Sequence, residues 1–441
     1  MTSNLKNLSK LAYPVVLGQI ANMILHFVDR YFIAMLGVDE AAGSSLSGGL
    51  IWVLMSFTML ISGGTVAYIS RRVGEKDFVK AGIGAEQSVL LSVFLGIFLG
   101  LVSFIFSEQL IGFYNATPTV TEIGIVYFDV LAIGFPFLIS GMVLASVFQA
   151  AGDTKTPMFI FAGMSVMNLI LDPAFIFGFH LIPPMGVKGA AIASVLSEAC
   201  AFIAILYMMI KSTKFKIQFK NFFIIHREIA FRILRIGFWT GLNGFSRPLS
   251  AIFLQKALAY HGTKAIAAFS FGIQWISLYF VVMEGVRVAV ATLVGQNLGD
   301  KNYPEVHNSV KSGLKLGVLI VILSLIVGIP LKETAISIFS KDPEIIKMGS
   351  SYLFIVIISL IFEVPMTVYA AALNGAGDTK PPMIIAFISN WLGKISIAYI
   401  FTYIFNFGVD CVWWAISASI VIEGVGMWIW FKRGTWMRRV V

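Results

Sequence analysis

The sequence predicts an all-α polytopic membrane protein with 12 transmembrane helices in two parallel, pseudo-symmetric six-helix bundles. Three observations carry this prediction. Of 441 residues, 58% are hydrophobic and only 12% charged, against about 25% charged in an average soluble domain. The chain reads as twelve apolar runs, and twelve helices of about 20 residues need roughly 240 positions, which it supplies. A set of short motifs also recurs at one fixed offset. The aromatic and aliphatic content excludes disorder, and no polar stretch is long enough to encode a large soluble domain.

The first run, 11–35, follows a polar start with Lys6 and Lys10 and contains Asp29 and Arg30. It is too long and too charged for a cleavable signal core, so it reads as a retained helix. Runs 45–70 and 86–107 flank a basic turn from Arg71 to Lys80. Runs 124–148 and 156–179 flank a Gly-Asp-Thr-Lys turn, and the fifth run carries Asp172 directly before Pro173. Run 188–210 holds Glu198 and leads into the basic stretch Lys211–Arg235. The second six are 234–259 with Arg247 and Lys256, 266–292 with Glu284 and Arg287, 308–330, 347–373 with Glu363, 383–406 with Lys394, and 412–431 with Glu423. Runs longer than 25 residues imply tilt or extension beyond the bilayer. Cys200 and Cys411 make no disulfide framework.

The formal net charge is +9. On a soluble protein that excess raises the question of nucleic acid. Here Lys and Arg sit mostly in short loops, and with the N-terminus inside they divide 22 to 5 between the two faces, with five more within spans. The bias supports twelve spans with both termini cytoplasmic, and no nucleic-acid partner. An error of one span would alternate the sides wrongly and destroy it.

Gln149-Ala-Ala-Gly-Asp-Thr-Lys-Thr-Pro-Met158 recurs as Asn374-Gly-Ala-Gly-Asp-Thr-Lys-Pro-Pro-Met383, 225 residues later. Val-Gly-Glu-Lys-Asp around Gly74 recurs as Leu-Gly-Asp-Lys-Asn around Gly299, and Gly37 with Gly262 and Glu198 with Glu423 keep the same spacing of 225. Such a pattern marks a duplication. Six spans per half is an even number, so both halves share one orientation and a substrate path would run between them. The organisation is an N-terminal bundle, 1–210, a cytoplasmic linker, 211–233, and a C-terminal bundle, 234–441. The repeated Gly-Asp-Thr-Lys turns read first as tight helix connections, in which Gly permits the backbone and Pro starts the next helix.

The six-plus-six parallel repeat, the paired Gly-Asp-Thr-Lys turns after the fourth and tenth spans, and the run Leu293-Val-Gly-Gln-Asn-Leu-Gly299 after the eighth resemble the multidrug and toxic compound extrusion (MATE) family over essentially the whole chain. That resemblance implies a secondary active antiporter in the cell (inner) membrane. It would export amphiphilic, often cationic, small molecules in exchange for H⁺ or Na⁺, act as a monomer, and use no other cofactor. The wider superfamily includes flippases, so a flippase for an anionic lipid-linked precursor is the alternative. Arg30, Arg247, Arg287 and Lys394 would serve it by drawing phosphate inward.

A charge at the bilayer centre costs at least a few kcal/mol, so each is a candidate functional residue. Asp172 lies deep in the fifth span, Asn168 sits one turn earlier on the same face, and Pro173 cannot donate to the carbonyl of Leu169. These are hard-oxygen groups suited to Na⁺ or a proton-linked network. Asp29 in the first span is a second carboxylate, with His26 one turn before it. The bland alternative is a buried network bracing kinked helices. In the family, an N-terminal-half cation site uses an Asp in the first helix, an Asn-x-x-x-Asp pair in the fifth and a hydroxyl in the sixth. Asp29, Asn168 and Asp172 match that pattern, with Ser194 as the hydroxyl. Shifted by 225, Asp29 and Asp172 become Leu254 and Ile397, so the second half is built without them.

The C-terminal half offers a separate charge network of Arg247, Glu284, Arg287 and Glu363. Glu363 precedes Pro365 by two residues, and some family members pair an acid there with one in the seventh span. Here that span offers Arg247, which points to an Arg247–Glu363 ion pair. Glu284 and Arg287, three apart, would pair locally. Glu198 and Glu423, at equivalent positions, suggest a shared structural task, and Lys394 would snorkel or meet a carboxylate. The sequence has no Gly-x-x-x-x-Gly-Lys-Ser/Thr loop for ATP hydrolysis, and no nucleophile–base constellation, so it reads as a transporter and not an enzyme.

Overall fold

The computed structural model describes residues 2–180, 182–212, 215 and 224–438. It is all-α and polytopic, and no strand is present among the described residues. Two compact units form, one of Pro14–Gly241 and one of Met1–Tyr13 with Leu242–Val441.

α1 (Thr2–Ala34) belongs to the second unit up to Tyr13 and to the first from Pro14; in the first unit it is followed by α2 (Val38–Met55), which continues through a short 3₁₀ turn, Ser56–Thr58, into α3 (Met59–Gly74). Then come α4 (Phe78–Ile105), a short α5 (Ser107–Gly112), α6 (Pro118–Ala150), α7 (Lys155–Ile176) and α8 (Gly186–Lys211). After the linker, α9 (Arg227–Tyr260) begins here and ends in the second unit. α6 is the central helix, packed against α2, α3, α4 and α8. Phe128, Phe135, Ile139, Val143 and Leu144 along it are fully buried, while Val126, Ile133 and Met142 stay exposed on an apolar strip, as a mostly enclosed helix with one face open to lipid requires.

The second unit repeats this order with α10 (Thr263–Gly299), α11 (Tyr303–Ser337) and α12 (Pro343–Gly375), then a composite eleventh span and α15 (Asp410–Lys432). α12 takes the central place, against α10, α11 and α15. Four helix starts keep the offset to the residue: Val38 and Thr263, Phe78 and Tyr303, Pro118 and Pro343, and Lys155 and Lys380 are each 225 apart. Their local chemistry is copied too. Asp77 accepts the Lys80 N–H at the start of α4, as Asn302 accepts that of Glu305 at the start of α11. The same N–H and the Lys80 ammonium hold the Asp77 carboxyl below its ordinary value. Left-handed backbone recurs at Lys76 and Lys301 and at Gly152 and Gly377. The Gly-Asp-Thr-Lys segments are therefore the tight turns their composition implies.

Close backbone packing needs glycine at two places in the first unit. A Cβ on Gly237 of α9 would lie 1.8 Å from the Leu60 carbonyl oxygen, and one on Gly64 of α3 would lie 1.9 Å from that of Ile233. Small residues let membrane helices approach to this distance, where dispersion forces are strongest.

Three features differ from the sequence reading. The second and eighth spans, Val38–Gly74 and Thr263–Gly299, extend beyond 45–70 and 266–292 at both ends, because the small and polar residues flanking each apolar run remain helical. α9 starts at Arg227, so residues 227–233 of the expected linker are helical, and residues 213–214 and 216–223 of that linker lie outside the described residues. The eleventh span is not a uniform α-helix. α13 (Lys380–Phe387) passes into a π-helical segment, Ile388–Ile395, then α14 (Ser396–Tyr399) and a second π-helical segment, Ile400–Ile404. Eleven helical segments among the described residues are long and apolar enough to cross a membrane. The 34-residue α9 makes a twelfth by length, about 50 Å at 1.5 Å per residue, although Arg227, Glu228, Arg232 and Arg235 make its first turns polar.

Candidate functional site

In the first unit, α1, α7 and α8 bring the predicted residues together. Asn168 and Asp172 are 1% and 0% exposed. Asn168 Nδ2 donates to Asp172 Oδ1 at 3.2 Å and to Ser194 Oγ at 3.4 Å. The i, i+4 spacing places the first contact on one face of α7, and the second crosses to α8, which packs along it. Asp29 projects from α1, and its carboxyl lies within hydrogen-bonding reach of Asp172. All four predicted residues therefore share one site.

Oxygen acceptors in this site exceed donors. Asp29 Oδ1, Asn168 Oδ1 and Asp172 Oδ2 are buried without a hydrogen-bond partner. Two facing carboxylates in a dry interior repel strongly unless a proton or a cation lies between them. Three bare, hard oxygens are the donor set that fits such an ion. Two α6 side chains escaped the sequence reading. Tyr127 lies in the field of Asp29, Asp172 and Glu198, and Asp129 has a buried Oδ1 without a partner. Tyr127 had no signal to separate it from the other tyrosines. Asp129 sits a little over one turn inside an apolar run, and its charge was the available signal.

The second unit corrects one expected pair. Arg247 does not meet Glu363. Its Nη2 donates to Glu423 Oε1 at 2.5 Å, and Glu423 Oε2 accepts from Ser389 Oγ at 3.0 Å. Glu363 is instead held by the hydroxyls of Tyr279 and Thr367. These two donors satisfy the Glu363 carboxyl from α10 and from its own helix, while the packing of α15 on the π-helical segment carries Glu423 towards α9. The local pair Glu284–Arg287 forms as expected. Glu198 and Glu423 do not share one task. Glu423 has a guanidinium and a hydroxyl, whereas Glu198 makes no hydrogen bond among the described residues and lies within the field of Asp29. The positions matching Arg247 and Ser389 at the 225 offset are Asn22 and Met164, neither of them charged. Among the described residues, Lys394 meets no carboxylate. Its Nζ donates to Asn390 Oδ1 at 2.6 Å and to Ser250 Oγ at 3.0 Å.

A family model, MatE, matches residues 14–174 and again 243–400, most of each half of the repeat. The chain belongs to the MATE family. The chain is 29% identical over 437 residues to the probable multidrug resistance protein NorM of Thermotoga maritima, covering 99% of this chain and 94% of that one. It is 24% identical to the multidrug export protein MepA of Staphylococcus saprophyticus, covering 96% and 92%. Among solved structures, a mutant of the Vibrio cholerae MATE transporter VcmN superposes with a TM-score of 0.91 at 21% identity, covering 99% of both chains. A MOP superfamily transporter from Pyrococcus furiosus gives 0.90 at 22%, covering 99% and 97%. The solved structures show a MATE fold, and the family model with the relatives named for multidrug resistance and export makes the chain a transporter. In this MATE chain the carboxylate-rich network lies in one half, and Arg247 and Lys394 make the corresponding interior of the other half partly basic.

Proposed function

We propose that this MATE protein is a secondary antiporter that exports amphiphilic, often cationic, compounds in exchange for H⁺ or Na⁺. The observation that carries the reading is the facing pair Asp29 and Asp172, with unpartnered oxygens on both and on Asn168. A proton or Na⁺ entering this pair cancels the repulsion, and its departure restores it. If the ion binds one conformation more tightly than the other, its gradient biases the exchange between them. The relatives named for multidrug resistance and export support the cargo class.

The flippase alternative asks the intramembrane arginines to receive phosphate. Arg287 is held by two contacts to Glu284, and the charge of Arg247 is balanced by Glu423, although its other donors stay free. The two arginine charges are thus already neutralised, which favours the antiporter. The test uses proteoliposomes containing the purified protein and a fluorescent cation, with H⁺ and Na⁺ gradients imposed separately. Efflux driven by one gradient and collapsed by the matching ionophore is expected. Efflux indifferent to both would overturn the antiport reading.

The same proposal places the protein in the cell membrane as a functional monomer, with both termini and the loop after Lys211 in the cytoplasm, following the charge bias of the loops. In a cysteine-free background, a single Cys placed between residues 213 and 223 should resist an impermeant maleimide applied to intact cells. It should react once the cells are opened. Labelling from outside would refute the orientation.

A further inference from the structure

We propose that the second unit contains an oxyanion-binding site in which Lys394 and Arg247 receive a carboxylate or phosphate group. The inference deepens the antiport reading by naming a substrate class, and rests on that reading only for assigning the oxyanion to cargo. The first observation is a charge balance. Lys394 donates to the neutral oxygens of Asn390 and Ser250, and Arg247 and Glu423 on the neighbouring helices are already paired with each other. The Lys394 ammonium is thus uncompensated within a membrane-spanning helix, a costly arrangement unless an anion joins it.

The second observation is a count of donors. An ammonium carries three N–H groups and a guanidinium five. Lys394 spends two, on the neutral oxygens of Asn390 and Ser250. Arg247 spends one on Glu423, and its side chain remains 44% exposed. Lys394 therefore keeps one free donor and Arg247 several, the latter on an accessible side chain. Planar and tetrahedral oxyanions are the ligands such donors fit best.

The third observation concerns the backbone. Asn390 and Lys394 both lie in the π-helical segment Ile388–Ile395, a rare conformation that is frequent at functional sites. Ser250 closes the arrangement from α9. It stands 2.9 Å from the Arg247 carbonyl oxygen, to which it donates, so one turn of α9 positions both the hydroxyl and the guanidinium. At the 225 offset, Lys394 and Asn390 correspond to Leu169 and Ser165, so the first unit lacks this arrangement.

The oxyanion could belong to a soluble amphiphile or to a lipid headgroup, and the experiment separates the two. The purified protein is placed in phosphatidylcholine nanodiscs and titrated with a dansyl-labelled alkyl carboxylate and with its methyl ester. The acid should bind at least tenfold more tightly than the ester. Lys394→Met should erase the difference and Lys394→Arg should keep it. Because Lys394 has no carboxylate partner, its removal leaves no orphaned acid, and thermal melting checks that each variant is folded. Repeating the titration in discs containing phosphatidylglycerol assigns the site: loss of the acid's advantage identifies a lipid headgroup as the occupant, and its persistence identifies cargo. Equal binding of acid and ester by the unaltered protein, or an unchanged preference in folded Lys394→Met, would overturn the proposal. Gradient-driven export of the cationic dye by the unaltered protein reads the antiport function separately, so failure of one leaves the other measurable.

Discussion

Asp172→Asn should reduce gradient-driven efflux at least about tenfold while leaving the protein inserted and folded. The substitution keeps the shape of the side chain and removes both its charge and its capacity to titrate. Asn168 can still donate to the remaining carbonyl oxygen, so the contact between the two residues in α7 survives. The contact to Asp29 changes in kind, because an amide can donate a hydrogen bond to the carboxylate without any added proton or cation. Ion occupancy then no longer decides whether the pair is at rest or under repulsion, and the gradient loses its hold on the conformational equilibrium. Asp29→Asn should behave alike. Dye binding at equilibrium should be less affected than transport, because the coupling group and not the apolar cargo surface has changed. The check is dye efflux from proteoliposomes under separate H⁺ and Na⁺ gradients, alongside equilibrium dye binding. Full efflux by both variants with unaltered ion dependence would remove these residues from the coupling site. Loss of response to one gradient alone would name the ion.

Arg247→Gln should destabilise the protein more than Glu423→Gln. The two partners are unequally placed, since the Arg247 side chain is 44% exposed and that of Glu423 only 4%. Removing the guanidinium leaves a carboxylate in a dry interior with Ser389 as its remaining donor. Removing the carboxylate leaves a long, flexible cation that can swing towards water. Breaking a fully buried pair costs about 3–5 kcal/mol, and the exposure of Arg247 lowers the expected loss to about 2–3 kcal/mol. The double variant Arg247→Gln with Glu423→Gln should recover part of that loss, because no charge is left without a partner. Thermal melting in detergent measures all three. Strictly additive losses would show that the pair contributes no coupling, and the matching cycle with Glu363→Gln should show little.

That pair also shows where sequence reasoning reaches its limit. Asn168 and Asp172 were legible because four residues on a helix fix a contact without knowledge of the fold. The turns at Gly152 and Gly377 were legible because glycine and proline act on their own backbone. Arg247 posed a different problem. Its partner lies 176 residues away, and Glu363 and Glu423 both offered carboxylates in later spans. The choice between them depends on Tyr279 and Thr367 already satisfying Glu363. It depends also on the way α15 meets the π-helical segment, and neither fact is written in local composition. The π-helical backbone itself had no sequence signal, since Ile388–Ile395 contains no proline, and its Ser389, Asn390, Gly393 and Lys394 are tolerated equally in an α-helix within an apolar span.

A chain copied to the residue can change by substitution far more readily than by insertion. The paired spans Val38–Gly74 and Thr263–Gly299 have the same length, as do α6 and α12. One extra residue within such a helix would turn everything beyond it by about 100° and shift it by about 1.5 Å. Faces that meet the central helix would then point towards lipid. Exchange at a fixed address carries no such cost, and the two halves have drifted apart in that way. Asp172 stands against Ile397, Leu169 against Lys394, and an unpaired Glu198 against a neutralised Glu423. Length serves as the inherited ruler that matches the protein to its membrane, and inventiveness is confined to what is hung upon it.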